Sequence, residues 1–340
     1  MLTRHVSRGL RWSSGISRPG GTNPIPKQEL PKTPGHPTIR PAHFVFSLLS
    51  LSLGLYAAQL YNLVRQPCHN PEIKHLSSQK DVAARYEDTA ENFDTEVGIS
   101  EVLMRINAKR KHLTQRCWGN VLEVSCGTGR NLGYYDVSKG GKVKSLTLVD
   151  LSPQMVAVCK RKWLALHGKK KHLDPGFVVR FVTGSALGDM PPPPGGRKYD
   201  TILQTMGLCS TAEPVRLLEN MVGCLDTENP EARVFLLEHG RSYLPWLNNV
   251  LDNAAERHAE VHGCWFNRDI GELVRLAAER TGMEVVRERR FQFGTTWLFE
   301  LKPKKKGDGS LLEKGGNTLT EKGRSDEQKS GKTSWNGLLK

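Results

Sequence analysis

The residues best suited to chemistry close a short apolar run: Val121-Leu122-Glu123-Val124-Ser125-Cys126-Gly127-Thr128-Gly129. Glycines after a strand let the backbone approach a ligand, and the N-terminus of a following helix offers it free N–H groups. A dinucleotide-binding turn needs a third glycine where Leu132 stands, which disfavours a nicotinamide cofactor. Asp150 ends a second run, Leu146-Thr147-Leu148-Val149-Asp150. An acid there bonds ribose hydroxyls in nucleotide-binding folds; the alternative is a cap for the helix opening at Ser152-Pro153. Glu238 and His239 end a later run and are the candidate general bases, since open sheets place ligands beyond the carboxyl ends of their strands. His258, His262 and Cys264 form the one metal-like spacing, H-x3-H-x-C. With no fourth ligand at a familiar distance, no metal is expected.

These residues need a scaffold, and the pattern from about 76 to 302 supplies one. Strand-like runs are 119–125, 144–150, 177–183, 199–205, 233–238, 283–291 and 295–301. Helical patterns fall at 130–135, 153–167 and 214–224, with a turn near Leu187. Short β-rich runs alternating with helices predict an α/β fold: a Rossmann-like, seven-stranded, mostly parallel sheet. The last two runs, barely separated, predict a C-terminal antiparallel hairpin. Residues 243–262 read as an inserted helix that either covers a pocket or packs its apolar stripe on the sheet.

The chain has 340 residues and a net charge of +14. That excess suggests nucleic acid until it is partitioned. Residues 1–40 carry +6 and residues 302–340 carry +5, which leaves the middle nearly neutral. No nucleic-acid partner is expected. Arg4, Arg8 and Arg11 recur at helical spacing among serines with no acid before Glu29, the composition of a mitochondrial transit peptide over 1–18. Seven prolines between 19 and 41 predict an extended linker over 19–43. Residues 44–64 lack charge and are long enough to cross a bilayer as a helix. The basic excess before this stretch predicts a single-pass inner-membrane protein with residues 76–302 in the intermembrane space. Residues 303–340 read as a disordered basic tail. The seven cysteines are odd in number and lack any C-x-x-C pair, so they read as reduced thiols.

Glu123–Gly129 with Asp150, followed by Gly184-Ser185-Ala186, resembles the class I S-adenosylmethionine-dependent methyltransferases. Tyr86-Glu87-Asp88-Thr89-Ala90-Glu91-Asn92-Phe93-Asp94 resembles the segment preceding ubiquinone-type methyltransferase domains. Thr205–Ser210, Leu237–Ser242, Trp246–Asn248 and His262–Ile270 are similar to the fungal mitochondrial OMS methyltransferase-like family and to the membrane-associated thiol methyltransferases of animals.

That resemblance implies S-adenosylmethionine as cofactor. Glu123 with Cys126, Gly127 and Gly129 would hold its amino-acid portion, and Tyr86 and Ser125 are further cofactor-binding candidates. Asp150 would bind the ribose, with Leu151 and Met155 beside the adenine and Ser185 and Ala186 at the adenine-contact position; Gln204 is a further cofactor-binding candidate. Ser125, Ser185 and Gln204 stand where the family usually has glycine, an acid and aspartate. Methyl transfer is an in-line displacement that needs alignment more than a base. The methyl acceptor is expected to be small and lipophilic, and the sequence leaves its identity and the oligomeric state open. The alternative is a non-catalytic mitochondrial assembly or interaction factor on a methyltransferase-like scaffold.

Overall fold

The computed structural model describes residues 41–168, 173–196 and 198–304. The expected transit peptide, nearly all of the proline-rich linker, and the basic tail from 305 onward lie outside them. The chain divides into two units, Met1–Gln59 and Leu60–Lys340. The described part of the first is helical: α1 runs from Pro41 to Arg65. Its Ala42–Arg65 stretch is long and apolar enough to cross a membrane by length and composition.

The second unit holds a seven-stranded sheet. Three helices precede it: α2 (Arg85–Thr89), α3 (Phe93–Leu103) and α4 (Ile106–Thr114). Then follow β1 (Gly119–Val124), β2 (Val143–Asp150), α5 (Pro153–His167), β3 (Val178–Thr183) and β4 (Thr201–Thr205). The series closes with α6 (Pro214–Cys224), β5 (Arg233–His239), α7 (Pro245–His262), α8 (Ile270–Thr281), β6 (Met283–Phe291) and β7 (Thr296–Pro303).

The strand order is β3-β2-β1-β4-β5-β7-β6. The first five are parallel, while β7 runs antiparallel to both β5 and β6. The expected mostly parallel sheet with its C-terminal hairpin is therefore present, with β7 threaded between β5 and the edge strand. From β1 the chain winds outward through β2 and β3, then crosses back to β4 beside β1. Such a reversal opens a crevice beyond the carboxyl ends of the two strands. Ser125 follows β1 and Met206 follows β4, so the two turns meet at that crevice.

Local chemistry sets the helix boundaries. Ser152 Oγ accepts from the N–H of Met155 at 3.1 Å, and Pro153 follows, so α5 starts where its donors are satisfied. Asp269 does the same for Glu272 at 3.0 Å, and Gly282 ends α8 in the left-handed region. Two differences from the sequence reading concern helices. The expected helix over 130–135 shrinks to a single 3-10 turn, Leu132–Tyr134. α7 buries only Ala255 and Ala259, which pack with Ile73 and Trp265. Its apolar stripe does not cover the sheet; α8, whose helicity the sequence reading left unstated, packs against α6 and the hairpin instead.

Candidate active site

A cavity of about 600 Å³ opens beyond β1 and β4. Its floor is the Ser125–Thr128 turn with Met206 and Gly207; Asp150, Leu151 and Met155 line one side, and Gly184, Ser185 and Ala186 extend that side. Tyr86 and α3 close it from above, while His239, Cys209, Cys264, His258 and His262 line the far end. Nine of the twelve residues expected at a cofactor site thus face one space: Tyr86, Ser125, Cys126, Gly127, Asp150, Leu151, Met155, Ser185 and Ala186.

The other three stand behind the wall. Gly129 has φ +76°, and an added Cβ would lie 2.6 Å from Leu132 Cδ1 and 2.7 Å from Cys159 Sγ. It permits close packing on Leu132 and on Cys159 of α5, and it does not line the main cavity. Gln204 is fully buried and donates through Nε2 to Ser125 Oγ at 3.3 Å, bracing the turn from below. Glu123 sits beneath the turn, accepting from Asn131 Nδ2 at 2.9 Å and from the Tyr135 hydroxyl at 2.6 Å.

Burial pushes the Glu123 carboxyl up to about 7, against the two hydrogen bonds that favour its ionised form. Unfolded, the same group releases its proton near 4.5. Between these values the unfolded chain is the more deprotonated, so stability falls as pH rises through the window. The total is about 3 kcal/mol. Glu123→Gln is expected to flatten that slope, which denaturant unfolding of both proteins across pH 4.5 to 7 would read.

Glu238, expected as a base, does not face the cavity. It is fully buried, and its oxygens accept the N–H groups of Gly207 at 3.2 Å and Leu208 at 3.1 Å. Burial raises its pKa well above the ordinary value. It shapes the turn after β4 and cannot reach a bound acceptor. His239 does face the cavity; burial pulls its pKa down to about 4, so the ring is neutral near pH 7.

Asp150 lines the cavity and also ties the glycine turn to the start of α5, where Ser152 is the cap. Oδ2 accepts from Gly127 N at 2.8 Å and Oδ1 from Ser152 N at 3.0 Å. Burial raises its pKa, and those backbone donors pull the other way. Gly127, at φ +52°, has nothing within 4 Å of where a Cβ would be, so its outer face is open. Ser125 and Met206 adopt left-handed backbone at φ +54° and +60° without being glycine. Strain of this kind gathers where a surrounding structure holds a functional turn.

The sequence reading missed a chain of buried charges that ties α3 and α4 to this turn. Glu101 Oε1 accepts from Arg110 Nη2 at 2.8 Å, and its Oε2 accepts from Arg130 Nη2 at 2.6 Å. Arg110 Nη1 reaches Thr205 Oγ1 at 2.6 Å. Asp94 accepts from Arg130 at 3.0 Å, Thr128 at 2.6 Å and Lys162 at 2.5 Å. Burial alone would raise both acids; the cations and hydrogen bonds outweigh it and hold them below their ordinary values. A signal existed in Val97, Glu101 and Met104, spaced at four and three residues as one helical face.

His258 Nδ1 lies 2.8 Å from the Cys264 carbonyl. Among the described residues, no group of three His, Cys, Asp or Glu could hold a metal ion. All seven cysteines are free.

A family described as "Methyltransferase domain" matches residues 96–288, more than half of the chain. The chain belongs to the methyltransferase-domain family. Its sequence is also 35% identical over 240 residues to "Methyltransferase OMS1, mitochondrial" of Saccharomyces cerevisiae, covering 67% of this chain and 47% of that one. The chain thus spans about half the length of that curated relative. Solved structures similar to it include magnesium protoporphyrin IX methyltransferase from Synechocystis PCC 6803 with bound SAH, at 15% identity and TM-score 0.42, covering 62% of this chain and 86% of that one. A methyltransferase–activator complex from Haloferax volcanii matches at 15% identity and TM-score 0.47, covering 66% of this chain and 100% of that one.

Proposed function

We propose that this protein is an S-adenosylmethionine-dependent methyltransferase, tethered to the mitochondrial inner membrane, that methylates a small lipophilic acceptor. The observation that supports this reading most is the joined wall of Ser125–Thr128 and Asp150 beneath a cavity at the strand crossover. Open backbone at Gly127 and a buried carboxylate beside it suit an aminocarboxylate joined to a ribose. Arg110 lines the same cavity with its guanidinium paired to Glu101 and bonded to Thr205, so it braces the wall on which the cofactor would rest. Leu151, Met155 and Ala186 offer apolar surface for the adenine.

When bound, the cofactor supplies a sulfonium methyl group. The chain's own residues align the acceptor with it and exclude water. Neutral His239 accepts a hydrogen bond from an acceptor O–H or S–H and orients a lone pair. Its low pKa makes it a positioning group rather than a strong base. The apolar helix Ala42–Arg65 and the likeness to a yeast protein named as mitochondrial support the tether and its compartment. The N-terminal basic excess supports placing the catalytic domain in the intermembrane space.

Calorimetric titration of the full chain in detergent with S-adenosylmethionine is expected to show saturable binding. Incubation with a methyl-labelled cofactor and mitochondrial extract is then expected to label a small, extractable molecule. A folded chain that binds no cofactor overturns the reading. Ser125 in the place of a glycine supports the second reading, a non-catalytic assembly factor; binding without any transfer would decide for it.

A further inference from the structure

α3 carries apolar residues on its outer face as well as its inner one. Its inward face presents Glu101, buried in the charge chain, and Asp94. Outward stand Ile99, Val102 and Leu103, which are 76%, 65% and 78% exposed. Single exposed aliphatics are ordinary, but three at helical spacing on an 11-residue helix make a patch.

The patch continues across the next element. Gln292 Nε2 donates to the Met104 carbonyl at 3.0 Å, which brings the β6–β7 turn beside the end of α3. Phe293 at the tip of that turn is 68% exposed. Its carbonyl accepts from Ser242 Oγ, and Gly294 packs against Tyr243. Tyr243 and Trp246 are also exposed, at the start of α7. One turn further, Asn249 Nδ2 donates to the carbonyls of Gln66 at 2.6 Å and Val64 at 3.4 Å. Asn253 Nδ2 reaches Gln66 at 3.2 Å, and Asn70 Nδ2 reaches Glu256 at 2.8 Å. Residues 64–70 therefore lie along α7, the helix whose first turn carries Trp246.

We propose that this rim, formed by α3, the Phe293 turn and the start of α7, docks into the lipid surface and opens the cavity toward the bilayer. Lipid suits it better than a protein groove for three reasons. Aliphatic side chains are flanked by Phe293, Tyr243 and Trp246, the side chains that settle at the headgroup level. Arg105 follows the patch at once and is exposed, and exposed Arg65 lies between the Val64 and Gln66 carbonyls that Asn249 holds; anionic headgroups attract such side chains. The segment that follows the apolar stretch is bonded along α7 through Val64 and Gln66, so the proposed tether joins the same unit that carries the rim. α3 forms one cavity wall through Val97, Ser100 and Met104, so seating its outer face in lipid lets an acceptor move from membrane to cavity without crossing water. This inference rests on the membrane-tethered reading.

The test uses the full chain reconstituted in phosphatidylcholine vesicles containing phosphatidylglycerol, with and without lipids brominated near the top of the acyl chain. Leu103→Trp and Phe293→Trp place a fluorophore on the rim; Leu166→Trp places one on exposed α5 as control. The emission added at 103 and at 293 is expected to shift blue and be quenched by brominated lipid, and that at 166 to do neither. If the chain floats with the vesicles yet positions 103 and 293 behave like 166, the rim faces water or a protein and the inference is overturned while the tether stands. A chain that does not float with vesicles overturns both.

Discussion

Glu101→Ala is expected to cost the protein about 3–5 kcal/mol of stability, the largest loss among single substitutions around the cavity. The carboxylate is buried and serves two guanidinium groups at once, Arg110 at 2.8 Å and Arg130 at 2.6 Å. Removing it strands Arg110 among Thr205 and Asn131, with no anion inside hydrogen-bonding distance. Arg130 keeps Asp94, so the damage centres on Arg110. A midpoint drop of about 10 °C in thermal unfolding corresponds to that range for a domain of this size. Replacing all three members together, Glu101→Leu with Arg110→Met and Arg130→Met, leaves no stranded charge in the trio. It is expected to recover much of the loss, since an apolar substitute often matches a buried ion triad. The triple variant is also expected to lose cofactor affinity, because Arg110 lines the cavity and braces the β4 end through Thr205. Stability restored with binding still absent separates a role in the site from a role in folding alone. If Glu101→Ala unfolds like the wild type, the buried charge chain is not what holds α3 and α4 to the sheet.

The parts of this site that were legible in the sequence are those fixed by local pattern. The strands were readable because apolar runs of five to eight residues end at turn signals, and the ends of β1, β2 and β3 placed the glycine turn, Asp150 and Ser185 together. What remained hidden depends on side-chain direction. Glu123 and Gly129 belong to the same motif as Gly127, yet one points beneath the turn and the other into α5. Glu238 and His239 are adjacent on a strand, so they face opposite ways, and only the histidine meets the cavity. α3 escaped notice because its pattern is mixed, with Glu101 buried beside Val97 and Met104 while Ile99, Val102 and Leu103 are exposed. A rule that puts hydrophobic residues inside cannot find a helix that leaves Ile99, Val102 and Leu103 exposed.

The second large effect concerns the ligand rather than the fold. Asp150→Ala is expected to weaken S-adenosylmethionine binding more than tenfold, at least about 1.4 kcal/mol, while the protein stays folded. Two functions of the carboxylate add up in that figure. It holds the Gly127 amide at 2.8 Å and so fixes the turn on which the amino-acid portion would rest. It also faces the cavity, where ribose hydroxyls can donate to its remaining lone pairs. Losing two backbone contacts of a cavity-lining carboxylate costs less stability than stranding a buried arginine, which separates this variant from Glu101→Ala. The pH dependence gives an independent reading. Burial raises the Asp150 pKa, so on acidification its charge is lost earlier than that of a free aspartate. A protonated carboxyl accepts fewer hydrogen bonds, so wild-type affinity is expected to fall as pH drops through that pKa. In Asp150→Ala the same acid limb disappears, because the group that titrates is gone. Asp150→Asn keeps one oxygen but turns an amide N–H₂ toward Gly127 N or Ser152 N, a donor against a donor, so it is expected to bind no better than alanine. An Asp150→Ala protein with wild-type affinity and an unchanged acid limb would remove this residue from the site and leave it only as the clamp between the glycine turn and α5.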